Sequence, residues 1–320
     1  MQAPVYIHRY TLRSGAALNS ASVRREFPGA LIRVNDGVAA VHPWPEFGDA
    51  ELEVQLKTLA AGGTTPLLER ALHCAALDGE ARREGVSLFE GLEVPESHYS
   101  WSQSRPTDWQ FDFLRRKGFK ALKVKGFANY GETTRFLEAC ARAAPDVRLR
   151  VDFNGCLDRL TFAKFIEFMP LRVYRMLDLI EDPFPYDAAQ WQQVREAWGV
   201  RLALDKGWRN GTEGFDAVVV KPARRDWRIV AAHLPGAPLI LTSAMDHAVG
   251  QAYAAYEAAL CKKEMPGRLS LCGLVTHHLF DHDGFFETLD VQDGVLQVDR
   301  TGTGLGFDSV LEGLPWESLT

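Results

Sequence analysis

ALKVKG (Ala121–Gly126), RLRVDFNG (Arg148–Gly155), LDLIEDPF (Leu177–Phe184), RLALDKG (Arg201–Gly207) and AVVVKPA (Ala217–Ala223) decide how this chain folds. Each is an apolar run of strand length that closes on a charge: Lys123 and Lys125, then Asp152, Glu181, Asp205 and Lys221. Side chains alternate across a strand, so Lys123 and Lys125 share one face, as do Arg150, Asp152 and Asn154. Amphipathic stretches separate several of these runs, including Thr133–Pro145 and Ala188–Gly199, which read as helices. The same texture extends outward to HYSWSQS (His98–Ser104), PLILTSAMD (Pro238–Asp246) and RLSLCGLV (Arg268–Val275).

Eight apolar runs alternating with helical segments predict a closed (β/α)8 barrel rather than an open doubly wound sheet. The connection WRNGTEGFD (Trp208–Asp216) is too short for a full helix, so one barrel helix is expected to be degraded. Before the barrel, VYIHRYTLR and ALIRVNDGVAAVHPW read as antiparallel strands, with Asn35-Asp36-Gly37 as a hairpin turn. Two helices follow, Asp49–Leu59 and a second opened by Thr65 as N-cap and Pro66 as first residue. After Phe280 the chain leaves the repeat and reads as strands and turns returning to the first unit. The expected division is an α+β cap over 1–95, the barrel over 96–280 and a C-terminal segment over 281–320.

Composition narrows the function classes. The chain has 320 residues, 46% hydrophobic and 24% charged, as ordinary globular domains do. A formal net charge of -6 argues against a nucleic-acid or anionic-membrane surface. The scattered arginine pairs Arg24/Arg25, Arg82/Arg83 and Arg224/Arg225 read as solvated faces. Five cysteines without CxxC spacing, and an N-terminus without an apolar leader-like run, give the expectation of reduced thiols in a cytoplasm.

In a barrel the strand ends at the C-terminal rim carry the chemistry. Three carboxylates there suit a hard divalent cation such as Mg²⁺, with Mn²⁺ as the alternative. Lysines on either side of a dication are expected to have their ammonium form disfavoured, toward general-base work. Together these parts suit abstraction of a proton α to a carboxylate, on a small-molecule carboxylate substrate. The competing reading of Asp152, Glu181 and Asp205 is helix N-capping, a common use of Asp at the start of βα loops.

KxK, DxN, ExP, D and K on successive strands resemble the enolase superfamily, and within it the muconate-lactonizing subgroup. The short cap, Arg150 two residues before Asp152, and Ser243 with Gly250 after the seventh strand are most similar to the o-succinylbenzoate synthase family. That resemblance implies syn-dehydration of the cyclohexadiene carboxylate SHCHC to o-succinylbenzoate in menaquinone biosynthesis. It implies Asp152, Glu181 and Asp205 as Mg²⁺ ligands and Lys125 as the residue that removes the α proton and returns it to the leaving hydroxide. Lys221 would stabilise the enediolate, and Lys123, Arg150 and Ser243 would contact substrate. Arg150 has a second reading, as the internal partner of a carboxylate. Racemisation of an N-acylamino acid, dipeptide epimerisation and cycloisomerisation stay open on the same scaffold, as does Schiff-base chemistry in an aldolase-like barrel. LSLCGLV lacks the DxD that the dipeptide epimerases carry.

Where relatives have Glu-Ser after the third metal carboxylate, this chain has Lys206-Gly207, and strand alternation points Lys206 away from the barrel interior. The segments Ser14–Ser22 and Pro43–Gly48 match two loops that close over the substrate in that family. His277, His278 and His282 lack metal-ligand spacing, and the glycines of TGTGLGFD read as turns rather than a dinucleotide loop.

Overall fold

The computed structural model describes residues 4–18, 22–101, 107–209 and 211–320. Residues 19–21 of the first cap loop, 102–106 after the first barrel strand (which include the end of HYSWSQS) and Asn210 lie outside the described residues.

The chain opens with β1 (Val5–Arg13), β2 (Glu26–Val34) and β3 (Gly37–Val41), then α1 (Leu52–Ala60) and α2 (Pro66–Glu84). The barrel runs β4 (Ser97–Trp101), α3 (Asp108–Arg116), β5 (Ala121–Lys125), α4 (Tyr130–Ala143), β6 (Arg148–Asp152), α5 (Arg159–Glu167), α6 (Leu171–Met176), β7 (Leu177–Glu181), α7 (Ala188–Trp198), β8 (Leu202–Leu204), β9 (Ala217–Val220), α8 (Trp227–His233), β10 (Leu239–Leu241), α9 (Ala248–Glu264) and β11 (Cys272–Val275). The tail carries β12 (Asp290–Gln292), β13 (Val295–Gln297), α10 (Asp308–Glu312) and β14 (Glu317–Ser318).

All eight apolar runs are strands of one parallel sheet, in the order β10-β9-β8-β7-β6-β5-β4-β11. The sheet comes round on itself: β11 pairs with β4, and isolated parallel bridges Leu239–Leu269 and Thr242–Gly273 close the remaining seam. Among the described residues, no helix lies between β8 and β9, as the short connection required. Alternation sorts the side chains at each strand end. Asp152 faces the rim, while Phe153 turns outward and meets Phe165 of α5 edge-on at 5.1 Å. Burying a phenyl ring in this way stabilises by roughly 2 kcal/mol.

The cap sheet has the order β14-β1-β2-β3, all antiparallel, with the Asn35-Asp36 turn joining β2 to β3. Thr65 caps α2 by accepting from the Leu68 amide at 3.2 Å. This helix packs so closely on β3 that a Cβ at Gly37 would lie 1.8 Å from the Ala75 carbonyl oxygen. Only glycine fits there. On its other side α2 is tied to the barrel through Arg70, which donates to the buried Glu257 of α9 at 2.6 Å. The tail returns to the cap: Leu305 donates to Asp78 of α2, and β14 pairs with β1. The hairpin β12–β13 instead reaches the base of the barrel, where the Ser97 amide donates to the Gly294 carbonyl. Among the described residues, no helix is long and apolar enough to cross a membrane.

Candidate active site at the barrel rim

Register builds the rim. In the sheet, Lys125 is partnered with Asp152 and Asp152 with Glu181, so three charged side chains from β5, β6 and β7 stand in one row. Asp205 follows the last residue of β8, and Lys221 the last of β9. Strands β5 and β9 are four places apart in a ring of eight, so Lys125 and Lys221 face each other across it. The rim and the overlying cap enclose a cavity of about 520 Å³, a size suited to a small ligand. Lys123, Lys125, Asp152, Glu181, Asp205, Lys221 and Ser243 all line it.

The N-capping reading of the three acids does not hold. The helices that follow the strands are capped by Asn129, Asp158, Asp187 and Asp226, whose side chains accept from amides of the first turn. Asp158 and Asp187 cap the helices after β6 and β7, and no helix follows β8 among the described residues, so Asp152, Glu181 and Asp205 keep their side chains at the cavity.

The charges pair. Lys123 Nζ lies 2.6 Å from Glu181 Oε2 and 3.1 Å from Asp152 Oδ2, and Lys125 Nζ lies 2.6 Å from Asp152 Oδ2. Lys221 bridges both oxygens of Asp205. Burial alone pushes the Lys123 ammonium down, but the Asp152 and Glu181 carboxylates outweigh it and hold the pKa above its usual range. Burial pushes Asp152 and Asp205 up, yet Lys123 and Lys125 hold the first low, and Lys221 the second. Glu181 goes the other way, raised by burial and by Asp152.

Sequence reasoning passed over Asp182. It is buried, sits in the left-handed region at φ 40, and accepts the Asp205 amide at 3.0 Å. Burial, with Asp205 next, raises its pKa well above the carboxylate range. The signal was its position after Glu181 in IEDP. His98, Thr242, Thr276 and Trp101 also line the cavity from strands whose sequence carries no charge pattern. Ser243 Oγ sits 2.7 Å from Thr276 Oγ1.

Three expectations are corrected. Arg150 does not line the cavity; its guanidinium donates to Asp178 at 2.7 Å, to the Leu271 carbonyl at 2.7 Å and toward His98 Nδ1 at 3.1 Å. It is a buried partner of a carboxylate one layer below the rim. Lys206 does line the cavity, with Nζ 4.5 Å from the Phe47 ring centroid, because β8 ends at Leu204 and strand alternation no longer governs its direction. The arginine pairs are not merely solvated: Arg24 pairs with Glu46, Arg82 with Asp78 and Arg224 with Asp49. The last of these joins the cap to the barrel beside the cavity. Trp44, Glu46 and Phe47 line it from the Pro43–Gly48 loop, and Leu18 from the described part of Ser14–Ser22. His247 packs between Tyr10 and Phe285 outside the cavity.

Oxygen-only donors in a lysine-compensated ring match the preference of a hard dication. Among the described residues, no three His, Cys, Asp or Glu side chains already converge as a ready metal cage. Their oxygens are held by ammonium groups, the charge a bound cation would replace. The oxygen donors of Asp152, Glu181 and Asp205 fit a hard divalent cation in chemistry.

An eight-stranded parallel barrel under an antiparallel cap, with acids and lysines at the rim, is the enolase-superfamily architecture. The sequence family described as "Enolase C-terminal domain-like" matches residues 110–223, and "O-succinylbenzoate synthase, N-terminal domain" matches residues 5–81. The o-succinylbenzoate synthase of Bdellovibrio bacteriovorus is 34% identical over 324 residues, covering 97% of each chain. This chain belongs to the o-succinylbenzoate synthase family of the enolase superfamily. Among solved structures, the muconate lactonizing enzyme of Pseudomonas putida shares the fold at TM-score 0.72 and 14% identity, covering 96% of each chain. The L-Ala-D/L-Glu epimerase of Bacillus subtilis does so at TM-score 0.74 and 14% identity, covering 96% of this chain and 98% of that one.

Proposed function

We infer that this chain is an o-succinylbenzoate synthase, a hydro-lyase that dehydrates SHCHC to o-succinylbenzoate for menaquinone synthesis. Near full-length similarity to a curated synthase supports the reaction. The observation that carries the residue roles is the placement of Lys125 and Lys221 on opposite sides of a rim whose floor is Asp152, Glu181 and Asp205.

A Mg²⁺ held by Asp152, Glu181 and Asp205 would supply the positive charge that offsets the negative charge growing on the substrate carboxylate. Lys125 Nζ takes the α proton, and the C–H electron pair moves into the enediolate. Those electrons then form the new ring double bond as the C–O bond breaks. The proton on Lys125 Nζ passes to the departing hydroxide, giving water, so one lysine serves both halves of a syn elimination. Lys221 stays cationic on the opposite face and stabilises the enediolate. Lys123 holds the substrate carboxylate, and Ser243 lines the far wall.

The test is absorbance loss of SHCHC with pure enzyme and Mg²⁺. Turnover dependent on the metal is the expected result, and its absence overturns the assignment. Borohydride with a carbonyl substrate traps no imine if this reading is right.

A further inference from the structure

The cavity holds two kinds of cation. Lys123, Lys125, Lys221 and Arg224 are each paired with a carboxylate. Lys206 and Arg225 line the same cavity, yet among the described residues neither has a carboxylate partner. Each lies against an aromatic face instead. Lys206 Nζ sits 4.5 Å from the Phe47 centroid and 3.5 Å from Asn154 Oδ1, and the Arg225 guanidinium carbon sits 4.3 Å from the Trp208 centroid. A cation on a ring face is fixed in place while its N–H groups remain available to an anion. Lys206 and Trp208 follow β8, and Arg225 follows the neighbouring β9, so both cations occupy one sector of the rim.

The floor of the site balances three lysines against three acids. Lys206 and Arg225 therefore form a positive edge without an ion-pair partner, Asp205 acting on Arg225 only from beyond salt-bridge distance, and Phe47 of the cap lies against Lys206. The substrate inferred above is a dianion: one carboxylate is on the ring carbon that loses its proton, the other ends the succinyl chain. With the ring carboxylate at the floor, the chain extends outward toward the rim.

We propose that Lys206 and Arg225 form the subsite for the second, succinyl carboxylate of the substrate. The proposal rests on the dehydration reading. It gives Lys206 a role in specificity, where strand alternation had pointed it away from the barrel interior. An unpaired cation in a partly enclosed site also attracts dianions over monoanions before contact.

The experiment measures binding of the product, o-succinylbenzoate, and of 2-butanoylbenzoate, which carries a methyl group in place of the distal carboxylate, by calorimetry on Mg²⁺-loaded protein. Wild type is compared with Lys206→Met, Arg225→Met and Lys206→Arg. Both side chains are exposed, so the Met variants are expected to fold, which circular dichroism checks. The expected result is that each Met variant binds the product about ten-fold more weakly, with 2-butanoylbenzoate unaffected and Lys206→Arg close to wild type. In turnover the loss falls on KM for SHCHC. Equal losses for both ligands, or none for either, overturn the subsite while leaving the dehydration reading intact. A wild type that neither turns over SHCHC nor binds the product overturns the dehydration reading, and the subsite with it.

Discussion

Lys125 and Asp152 are register partners on adjacent parallel strands, and Lys125 Nζ donates to Asp152 Oδ2 across 2.6 Å. The proposed base and a proposed metal ligand therefore share one hydrogen bond. A dication that draws on Asp152 loosens the hold on Lys125, which links metal loading to readiness of the base.

Lys125→Ala removes the proton carrier from both halves of the elimination. SHCHC turnover is expected to fall about a thousand-fold or more. Asp152 keeps Lys123 at 3.1 Å, so the fold survives. Circular dichroism and the absorbance assay check this together; a variant retaining a tenth of wild-type kcat sinks the role of Lys125.

In the proposed ligand set Lys123 would compete with the dication for Glu181 Oε2 and Asp152 Oδ2, which it now holds. Replacing it with Met deletes the competitor and leaves two buried acids short of positive charge. Calorimetry should show Mg²⁺ binding tightened by about ten-fold, since a change near 1.4 kcal/mol is all that is required. The kcat/KM for SHCHC should drop in the same variant. Weaker Mg²⁺ binding would mean that Lys123 organises the acids instead of competing for them.

Asp246, after β10, is buried with Oδ1 unpartnered among the described residues. Burial pushes its pKa up to about 7, and Arg224 only partly offsets this. Tyr10 and Cys74 are the other titratable groups that feel its charge. The native carboxyl thus keeps a proton that the unfolded chain has lost between the ordinary range near 3.8 and about 7. Stability is unaffected by this group below the lower value, falls as pH rises through the window, and is reduced by a constant amount above it. Asp246→Asn should gain relative to wild type across that window, by at most about 4 kcal/mol. His42 and His247, pushed down to about 3 by burial, act with the opposite sign on acidification and cancel in the difference. Urea midpoints from pH 4 to 8 measure it, and a flat difference refutes the buried carboxyl.

Arg150→Met leaves Asp178 with Arg148 and Arg201 at its more exposed side and strips the Leu271 carbonyl and His98 of their donor. Losing one member of a buried ion pair costs about 3 kcal/mol of stability. KM of the folded enzyme should change little, because Arg150 lies below the cavity floor. A large KM increase at unchanged stability would restore it as a substrate contact.

Much of the architecture was legible locally. Strand alternation and the charge ending each run placed Lys123, Lys125, Asp152, Glu181 and Lys221 on one rim, because a two-residue period is a property of the chain itself. The Thr65-Pro66 cap and the Asn35-Asp36-Gly37 turn were readable for the same reason. The reading failed where a side chain's direction was set by a distant segment. Lys206 lies past the end of β8 and is drawn to Phe47 of the cap, some one hundred and sixty residues earlier in the chain. Arg224 likewise meets Asp49.

The sequence alone determined the barrel, its cap and the order of acids and lysines around the rim, since these follow from local periodicity and strand-end composition. Tertiary structure decided which charges are paired. Strand register put Lys125 against Asp152, the inner layer engaged Arg150 with Asp178, and the cap set Phe47 over Lys206. Those pairings depend on side chains meeting across strands and between cap and barrel, and such contacts are set by the packing of segments far apart in the chain.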